Sequence, residues 1–313
     1  MSDIKIAYCF DENLINQVRV TIAALLDARK KEGTHYHIYC VCTREAAKIA
    51  PVLEQIVHSR DEKSSLRMIA IDNPYEKAYE VRGISSGAYL RLELQRILPE
   101  VDKILYMDID TMVRDSLEDI WKIDLKDYLL AGVKAAVNIT NKWDWNSDRP
   151  YWGMLADMKG DYVNSGVLIM NLKRMRELNL EQQWADLSKI KMYYQDQDML
   201  NISCKGQIYY LEAKYNRFAY FSDEEYQQFV QEGLYTAEEC KEATTHPAII
   251  HYAGDKPWKR YDGNLCSLWW DYVNSQPDLQ GLFDEAKARR YHGPTFLERV
   301  VRKIQKILSK EKL

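Results

Sequence analysis

The first third of the chain alternates short apolar runs with stretches of helical periodicity. Apolar runs bounded by polar residues predict β-strands, and apolar positions repeated every three to four residues predict helices. The predicted strands cover 4–9, 37–42, 66–71, 103–107, 128–133, 166–172 and 248–252. The predicted helices cover 14–31, 45–57 and 88–98. Strands separated by helices in this order favour βαβ units, and therefore an α/β fold with a mostly parallel sheet.

Composition places the chain among ordinary soluble proteins. Of 313 residues, 46% are hydrophobic and 29% are charged, and no apolar run approaches the ~20 residues that a bilayer requires. The acidic N-terminal segment 1–13 is unlike a secretory signal, and the six cysteines are too sparse for a disulfide framework. These features predict a cytoplasmic protein with free thiols.

Charge is distributed unevenly, and this excludes several function classes. Residues 284–313 carry nine Lys and Arg against four Asp and Glu, so within a net charge of −4 the rest of the chain carries −9. An acidic body argues against nucleic acid as a partner.

The thirteen glycines include no G-x-G spacing, and no P-loop motif is present, which excludes both common nucleotide-binding fingerprints. Residues 138–160, rich in Trp, Asn, Asp and Lys, predict a long loop.

An acidic pair follows the predicted strand at 103–107. Asp108 and Asp110 flank Ile109, and ligands of open α/β sheets gather beyond the carboxyl ends of such strands. Two carboxylates at this place suit Mg²⁺ or Mn²⁺. One alternative is a pair of solvated acids that open a turn before Thr111. Another is the nucleophile motif of haloacid dehalogenase-like phosphatases, which the pair resembles; however, two βα units precede it and no convincing downstream lysine and acidic pair follow.

Further segments carry a more specific resemblance. They read AYCFDEN (7–13), AYLRLEL (88–94), ILYMDIDTMVRDSLEDIW (104–121), YVNSGVLIMN (162–171), YQDQDMLN (194–201) and HYAGDKPW (251–258). In this order they resemble glycosyltransferase family 8, the retaining sugar transferases that include lipopolysaccharide galactosyl- and glucosyltransferases and, more distantly, glycogenin. The resemblance implies a GT-A-type nucleotide-diphospho-sugar transferase fold, with a mostly parallel mixed sheet flanked by helices. It predicts a catalytic domain at 1–258 and a helical C-terminal extension at 259–313.

The resemblance also assigns a metal and diphosphate site. It implies that Asp108, Asp110 and His251 bind Mn²⁺, with Mg²⁺ as the alternative, and that the ion binds the diphosphate of a UDP-sugar. An imidazole ligand suits Mn²⁺ better than Mg²⁺. Gly254 would allow close backbone approach to the diphosphate, and Lys256 would supply positive charge. Judged by its own residues alone, His251 after an apolar run reads as a buried core histidine.

Residues for the nucleotide and the sugar follow from the same resemblance. The residues that would bind the donor, besides those of the metal and diphosphate site, are Ala7, Cys9, Phe10, Asp11, Asn13, Arg91, Ile109, Asn164, Asp196 and Gln197. The residues with a catalytic role would be Gln197, Asp196, Asp108 and Asp110. The residues also allow simpler readings: Asp11 and Asn13 cap the next helix, Arg91 is a surface arginine, and Asn164 begins a turn before a strand.

The mechanism that the resemblance implies is transfer with retention of configuration. Gln197 occupies the position where a double displacement would need a nucleophilic carboxylate, and an amide is a poor nucleophile. We therefore favour attack by the acceptor hydroxyl on the same face, with Asp196 binding a sugar hydroxyl or stabilising positive charge. Asp198 is expected to be structural. A third possibility is a catalytically inactive sugar-binding module, and the complete set of site residues argues against it.

The expected donor is UDP-glucose or UDP-galactose, and the expected acceptor is a saccharide or a lipid-linked saccharide of the cell envelope. Lys134 stands where some galactosyltransferases have a sugar-binding aspartate, so this position does not indicate which sugar the donor carries.

The last 19 residues, 295–313, predict an amphipathic helix with a basic face. Its apolar stripe comprises Phe296, Val300, Ile304, Ile307 and Leu308. Its basic residues are Arg299, Arg302, Lys303, Lys306, Lys310 and Lys312. One interpretation is a helix docked on the acidic body. The other is an interfacial helix on anionic lipid, which would make the protein peripheral on the inner face of the membrane.

Overall fold

The computed structural model describes residues 2–29, 33–42, 46–80, 85–138 and 151–290. Within these ranges, strands β1 to β10 are Ser2–Phe10, Thr34–Cys42, Ser65–Ala70, Lys103–Met107, Thr111–Val113, Leu130–Lys134, Val163–Asn171, Ile208–Tyr210, Arg217–Phe218 and Ile249–His251. Helices α1 to α11 are Ile15–Asp27, Ala46–Arg60, Leu94–Ile97, Glu118–Trp121, Leu172–Glu177, Leu180–Leu187, Asp196–Ser203, Gln227–Gln231, Ala237–Thr245, Cys266–Ser275 and Glu285–Arg290. The 3₁₀ helices are Glu12–Leu14, Ser86–Glu93, Ala136–Asn138, Trp152–Met154, Ala156–Met158 and Ala213–Asn216.

A seven-stranded sheet in the order β3-β2-β1-β4-β7-β6-β8 forms the centre of the fold. Strand β7 is antiparallel to both of its neighbours, and the other pairs are parallel. The predicted mostly parallel mixed sheet is therefore confirmed. Side chains of β1 alternate between two buried clusters: Ile4, Ile6 and Tyr8 face one, and Ala7 faces the other. This alternation follows from the pleat of a strand that is covered on both faces.

A second, three-stranded sheet in the order β5-β10-β9 positions the candidate site. Strand β4 ends at Met107, and the chain turns through 108–110 into β5. Strand β10 pairs antiparallel with β5, which sets His251 opposite Thr111. The Tyr252 amide donates to the Asp110 carbonyl at 2.8 Å. The small sheet thus carries His251 to the turn that contains both aspartates.

Several sequence predictions need correction in detail. The predicted helix at 88–98 is a 3₁₀ helix through Glu93, followed by one turn of α-helix. Asn164 does not begin a turn before a strand, because it lies within β7. The described part of the predicted loop at 138–160 contains two 3₁₀ helices, Trp152–Met154 and Ala156–Met158, and 139–150 lie outside the described residues. Strands β5, β8 and β9 were not predicted, since two or three residues carry too little periodicity.

The described part of the C-terminal extension packs on the main core. Trp269 and Trp270 of α10 belong to the same buried cluster as the apolar side chains of β1 and α1. The Trp270 indole N–H donates to the Pro257 carbonyl at 2.9 Å. The domain boundary after residue 258 stays a prediction, and the tail at 295–313 lies outside the described residues. Across the described ranges, no helix combines the length and apolar character needed to span a bilayer.

Candidate active site

Three potential metal ligands converge beyond the end of β4. Asp108, Asp110 and His251 each offer one ligand atom, and these atoms lie within 4.8 Å of one another. His251 Nε2 is 3.3 Å from Asp110 Oδ1 and 3.8 Å from Asp108 Oδ2. Adjacent ligands of an octahedral cation with bonds of about 2.1 Å lie roughly 3 Å apart. Two carboxylate oxygens and one imidazole nitrogen at these separations fit a divalent cation.

Each aspartate is anchored through the oxygen that does not face the histidine. Asp108 Oδ1 accepts a hydrogen bond from the Tyr106 hydroxyl at 2.6 Å and pairs with Arg91 at 2.9 Å. Asp110 Oδ2 pairs with the Lys256 ammonium. The arrangement is therefore more than two solvated acids at a turn, because each carboxylate has one fixed oxygen and one oxygen directed at His251.

Neighbouring charges lower the pKa of one carboxyl group of the site, and burial raises the pKa of another. Burial alone would raise the pKa of Asp110, but the Lys256 ammonium lowers it, as does His251 when its ring is fully protonated, and the pKa lies well below its usual range. For Asp196, burial dominates the opposing effect of Arg91, and the nearby Asp108 adds to burial, so the pKa rises to about 6.

Arg91 is a buried connector rather than a surface arginine. Its guanidinium pairs with Asp196 at 3.0 Å and with Asp108, and it donates to the Ser165 carbonyl at 2.6 Å. It also stacks on the Tyr106 ring, with 4.4 Å between Cζ and the ring centroid. These contacts occupy the guanidinium within the protein. Arg91 thus fixes the positions of a predicted metal ligand and of a predicted sugar-binding residue.

Helix α7 supplies the side chains predicted to face the sugar. Gln197 Oε1 accepts hydrogen bonds from Asn164 Nδ2 at 2.9 Å and from the Ser165 amide at 3.1 Å. Asp196 accepts a hydrogen bond from the Ser165 hydroxyl at 3.1 Å. Asp198 is fully buried and accepts from the Tyr194 amide just before the helix, at 2.9 Å. Its position agrees with the predicted structural role.

Gly166 is needed for space beside the histidine. A β-carbon at this position would lie 2.8 Å from His251 Nδ1 and 2.9 Å from Nε2, and nearer still to Cε1. Such distances are far inside ordinary van der Waals contact. The imidazole therefore packs directly on the backbone of β7, and only glycine fits there.

The residues predicted to bind the nucleotide lie at the end of β1. The side chains of Ala7 and Phe10 are buried in the core, so only their backbone groups can meet a ligand. Burial raises the pKa of the Cys9 thiol. The Asp11 carboxylate accepts from the Ser85 hydroxyl at 3.2 Å. Asn13 is exposed and lies inside the 3₁₀ helix Glu12–Leu14, and the cap position of α1 is Leu14, which has no side-chain cap bond, so Asn13 does not cap α1. Asp11 directly precedes that 3₁₀ helix.

The remaining predicted residues are Ile109, Gly254 and Lys256, which follow strands β4 and β10. Ile109 is partly buried, and its carbonyl accepts from the Thr21 hydroxyl at 2.6 Å. A β-carbon at Gly254 would lie 3.0 Å from the Tyr220 side chain. Lys256 also donates to the Tyr252 carbonyl at 2.7 Å. Lys134 pairs with Asp161 at 3.7 Å, with its ammonium 4.6 Å from the centre of the Tyr210 ring.

Sequence reasoning missed Asn216, which adjoins the histidine. Asn216 Oδ1 lies 2.9 Å from His251 Nδ1, and both residues are buried. The asparagine ends a short 3₁₀ helix just before β9. Nothing in a single sequence marks this position, because β9 has only two residues and its pairing with β10 is a tertiary feature.

The sheet order and the acidic turn define a GT-A-type nucleotide-sugar transferase fold, and comparison with known proteins agrees. The sequence matches the family described as Glycosyl transferase family 8 over residues 5–262. The chain belongs to this family. Membership in this family argues against the alternative of a haloacid dehalogenase-like phosphatase.

Solved structures and characterised relatives extend the comparison. The galactosyltransferase LgtC, crystallised with donor and acceptor sugar analogues, is 25% identical with a TM-score of 0.69, covering 88% of this chain and 96% of that one. Lipopolysaccharide 1,2-glucosyltransferase of Escherichia coli K12 is 24% identical over 82% of this chain and 73% of its own. General stress protein A of Bacillus subtilis is 25% identical over 59% of this chain. The alignments with that protein and three others span only 24% to 64% of those relatives' length.

Proposed function

We propose that this protein is a retaining glycosyltransferase that moves a hexose, glucose or galactose, from a UDP-sugar to a saccharide or lipid-linked saccharide acceptor. The observation that carries the proposal is the convergence of Asp108, Asp110 and His251 in a chain of family 8. The similarity to a lipopolysaccharide glucosyltransferase and to a galactosyltransferase supports the choice of sugars and the cell-envelope acceptor.

The same three residues would hold a divalent cation. Their oxygen and nitrogen donors suit Mn²⁺, and the imidazole disfavours Mg²⁺, which prefers oxygen. When bound, the cation supplies Lewis-acid stabilisation of the charge that develops on the departing diphosphate. The anchored oxygens of Asp108 and Asp110 keep the two carboxylates aimed at one point, which reduces the reorganisation needed when the ion binds.

Around this point the protein's own side chains bind and orient the donor. Lys256 lies beside Asp110 and is partly exposed, so it is placed to move to a phosphate oxygen of the diphosphate. Asp11 and Asn13 contact the nucleoside at the end of β1. Asp196, aligned by Arg91, binds a sugar hydroxyl or stabilises positive charge at the anomeric carbon. Retention of configuration follows from where the acceptor approaches.

The reaction proceeds by attack on the face from which the diphosphate departs. The bond between the anomeric carbon and the phosphate oxygen breaks while a bond to the acceptor oxygen forms, and the acceptor proton passes to the departing diphosphate. The transition state resembles an oxocarbenium ion. Gln197 does not act as a nucleophile, because its amide oxygen is poorly nucleophilic and already accepts two hydrogen bonds. It instead orients the sugar.

Release of UDP from a panel of UDP-sugars tests the proposal, with Mn²⁺ or Mg²⁺ and with or without acceptor saccharides. Asp108→Asn and Asp110→Asn should abolish release, because each removes a charge from the site that compensates the diphosphate. Asp102→Asn is the matched control: Asp102 precedes the other end of the same strand, and its side chain is 73% exposed.

The outcomes separate the competing functions. Near-wild-type release by either Asp108→Asn or Asp110→Asn would overturn the assignment. Binding of UDP-sugar without release, even with excess Mn²⁺ and acceptors, would indicate a sugar-binding module. Hydrolysis of p-nitrophenyl phosphate with Mg²⁺ would restore the phosphatase alternative.

We also propose that the enzyme is cytoplasmic and associates peripherally with the inner face of the membrane through residues 295–313. The basic amphipathic pattern of this segment supports the proposal, since each Lys or Arg near an anionic surface contributes about 1 kcal/mol. A lipid-linked acceptor would then meet the enzyme at the surface in which it is embedded.

A further inference from the structure

A chain of side-chain hydrogen bonds connects the candidate metal ligand His251 to helix α7. It passes from the imidazole through two asparagines, a glutamine and a tyrosine to a buried carboxylate. In order, the members are His251, Asn216, Asn164, Gln197, Tyr162 and Asp198. The heavy-atom distances along it are 2.9, 2.9, 2.9, 3.1 and 2.5 Å. We call this chain the amide relay.

The direction of the amide relay is fixed by groups that can only donate or only accept. The backbone amide of Gly166 donates to Asn164 Oδ1 at 2.9 Å, and that of Ser165 donates to Gln197 Oε1 at 3.1 Å. Turning either side-chain amide over would set an NH₂ group against a backbone N–H. At the far end, Asp198 accepts from the Tyr162 hydroxyl and from the Tyr194 backbone amide. Both amides therefore have one satisfactory orientation.

This direction determines the orientation of Asn216. Because Asn164 presents its oxygen, Asn216 must present its NH₂ group, and Nδ2 donates across 2.9 Å. The other end of the Asn216 amide then directs its carbonyl oxygen at His251 Nδ1. A carbonyl oxygen only accepts, so Nδ1 must carry the proton.

We infer that Asn216 is a positioning residue that holds neutral His251 in the tautomer protonated at Nδ1, leaving the lone pair of Nε2 directed at Asp108 and Asp110. The opposite tautomer would place a proton on Nε2 and donate to Asp110 Oδ1 across 3.3 Å, longer than a good N–H···O bond. It would also leave Nδ1 facing an oxygen at 2.9 Å with no proton between them. The inference gives a ligand role to one nitrogen and a supporting role to the other.

The consequence for the metal site rests on the proposed function. A metal can bind Nε2 only where that nitrogen has a lone pair, and the partner of the second ring nitrogen sets this. Asn216 would thus preselect the binding tautomer before an ion arrives. Because the amide relay continues through Asn164 to Gln197, the same hydrogen bonds align the metal ligand and the residue that orients the sugar.

The tautomer can be measured directly by NMR in metal-free, wild-type protein labelled with ¹⁵N-histidine. Long-range ¹H–¹⁵N correlation spectra at alkaline pH, where imidazole is neutral, distinguish the two nitrogens. His251→Gln identifies the resonance. We expect His251 to carry its proton on Nδ1 in the wild type, and a proton on Nε2 would overturn the inference. This readout requires neither metal nor activity, so it decides the inference even if the proposed function fails.

Variants test the consequence by Mn²⁺ titration, followed by the EPR signal of the free ion. Asn216→Ala should weaken Mn²⁺ binding by about 10- to 100-fold, as loss of a partner behind a ligand does. Asn216→Asp should bind Mn²⁺ more tightly than Asn216→Ala, since its carboxylate can still accept from Nδ1, but less tightly than wild type, since its other oxygen would face the accepting Asn164 Oδ1. Asn201→Ala is the control: Asn201 is equally buried, with 0% exposure for both asparagines, and bonds to Val163 and Gln197 without touching His251.

The comparison separates positioning from general destabilisation. The thermal unfolding temperature should fall by a similar amount in Asn216→Ala and Asn201→Ala, while only Asn216→Ala should lose Mn²⁺ affinity. Equal Mn²⁺ affinity in Asn216→Ala and wild type would overturn the positioning role, as would an Asn216→Asp variant as weak as Asn216→Ala. If wild-type protein binds no Mn²⁺, the proposed function fails, and the NMR result alone decides the tautomer.

Discussion

Replacing Gly166 by alanine should remove His251 from the candidate metal site. The new β-carbon would lie 2.8 Å from Nδ1 and 2.9 Å from Nε2, and closer to Cε1. Because Cε1 would lie closest, reaching ordinary contact of about 3.5 Å requires the ring to move by more than about 1 Å. The ring cannot move freely, because Nδ1 is bonded to Asn216 and His251 is only 2% exposed.

The expected losses differ for binding and for stability. A protein metal site tolerates shifts of about 0.2 Å in its ligands, so a 1 Å displacement should cost Mn²⁺ affinity by a factor on the order of 100 or more. Overpacking should lower the free energy of unfolding by about 1–3 kcal/mol. Mn²⁺ titration and urea denaturation measure the two quantities separately.

Gly132→Ala provides the matched comparison for the Gly166 substitution. Its β-carbon would meet Leu168 and Val163 at 3.1 Å, in the same sheet but without touching His251. We expect it to lower stability while leaving Mn²⁺ affinity within about twofold of wild type, since the ligands stay in place. If Gly166→Ala binds Mn²⁺ as tightly as Gly132→Ala, the packing argument is refuted.

Three further predictions concern charge. Lys256→Met should tighten Mn²⁺ binding in the absence of nucleotide by about threefold to tenfold, because it removes the cation that competes for Asp110. The same substitution should weaken binding of UDP. If the affinities for Mn²⁺ and UDP change in the same direction, the prediction is refuted. The pKa of Asp196 is raised to about 6 in the folded protein. Between about pH 4 and pH 6 the folded metal-free protein therefore binds more protons than the unfolded chain. Its free energy of unfolding falls by up to about 3 kcal/mol as the pH rises through that range. Asp196→Asn should therefore gain stability relative to wild type from pH 4 to pH 6.5 in urea titrations, and a constant difference would contradict this. Deleting 295–313 should abolish sedimentation with anionic liposomes at low salt while preserving donor hydrolysis in solution; unfolding of the body, or a full-length protein that ignores the liposomes, would favour a docked helix.

The local pattern of apolar and polar residues was sufficient to predict the strands that lead to the acidic pair and to His251. The strand predicted at 103–107 has those bounds, and His251 is the last residue of β10. Both predictions rest on apolar runs interrupted by a polar residue where the strand ends. The segment at 88–98 was harder, because the pattern of buried positions in α and 3₁₀ helices is similar over two turns.

The supporting side chains could not be predicted in the same way. Asn216 and Asn164 are 52 positions apart, and Asn164 and Gln197 are 33 apart. The sequence Asn-Ser-Gly near the start of β7 predicts a turn, because such residues are depleted in strands. In the fold, Gln197 of α7 and Asn216 form hydrogen bonds with the Asn164 side chain, which lets it lie within the strand. Hydrogen bonds between distant positions leave no periodic signal in one sequence.

Two cations balance the acidic site, and they differ in how firmly they are held. Arg91 is buried, with its guanidinium bonded to Asp108, Asp196 and the Ser165 carbonyl. Removing it would leave the buried Asp196 carboxylate without its cationic partner, so it belongs to the permanent framework. Lys256 is 27% exposed and neutralises the oxygen of Asp110 that faces away from His251. Because its ammonium is a flexible point charge, Lys256 can leave Asp110 when a diphosphate arrives, whereas Arg91 cannot leave without dismantling the site.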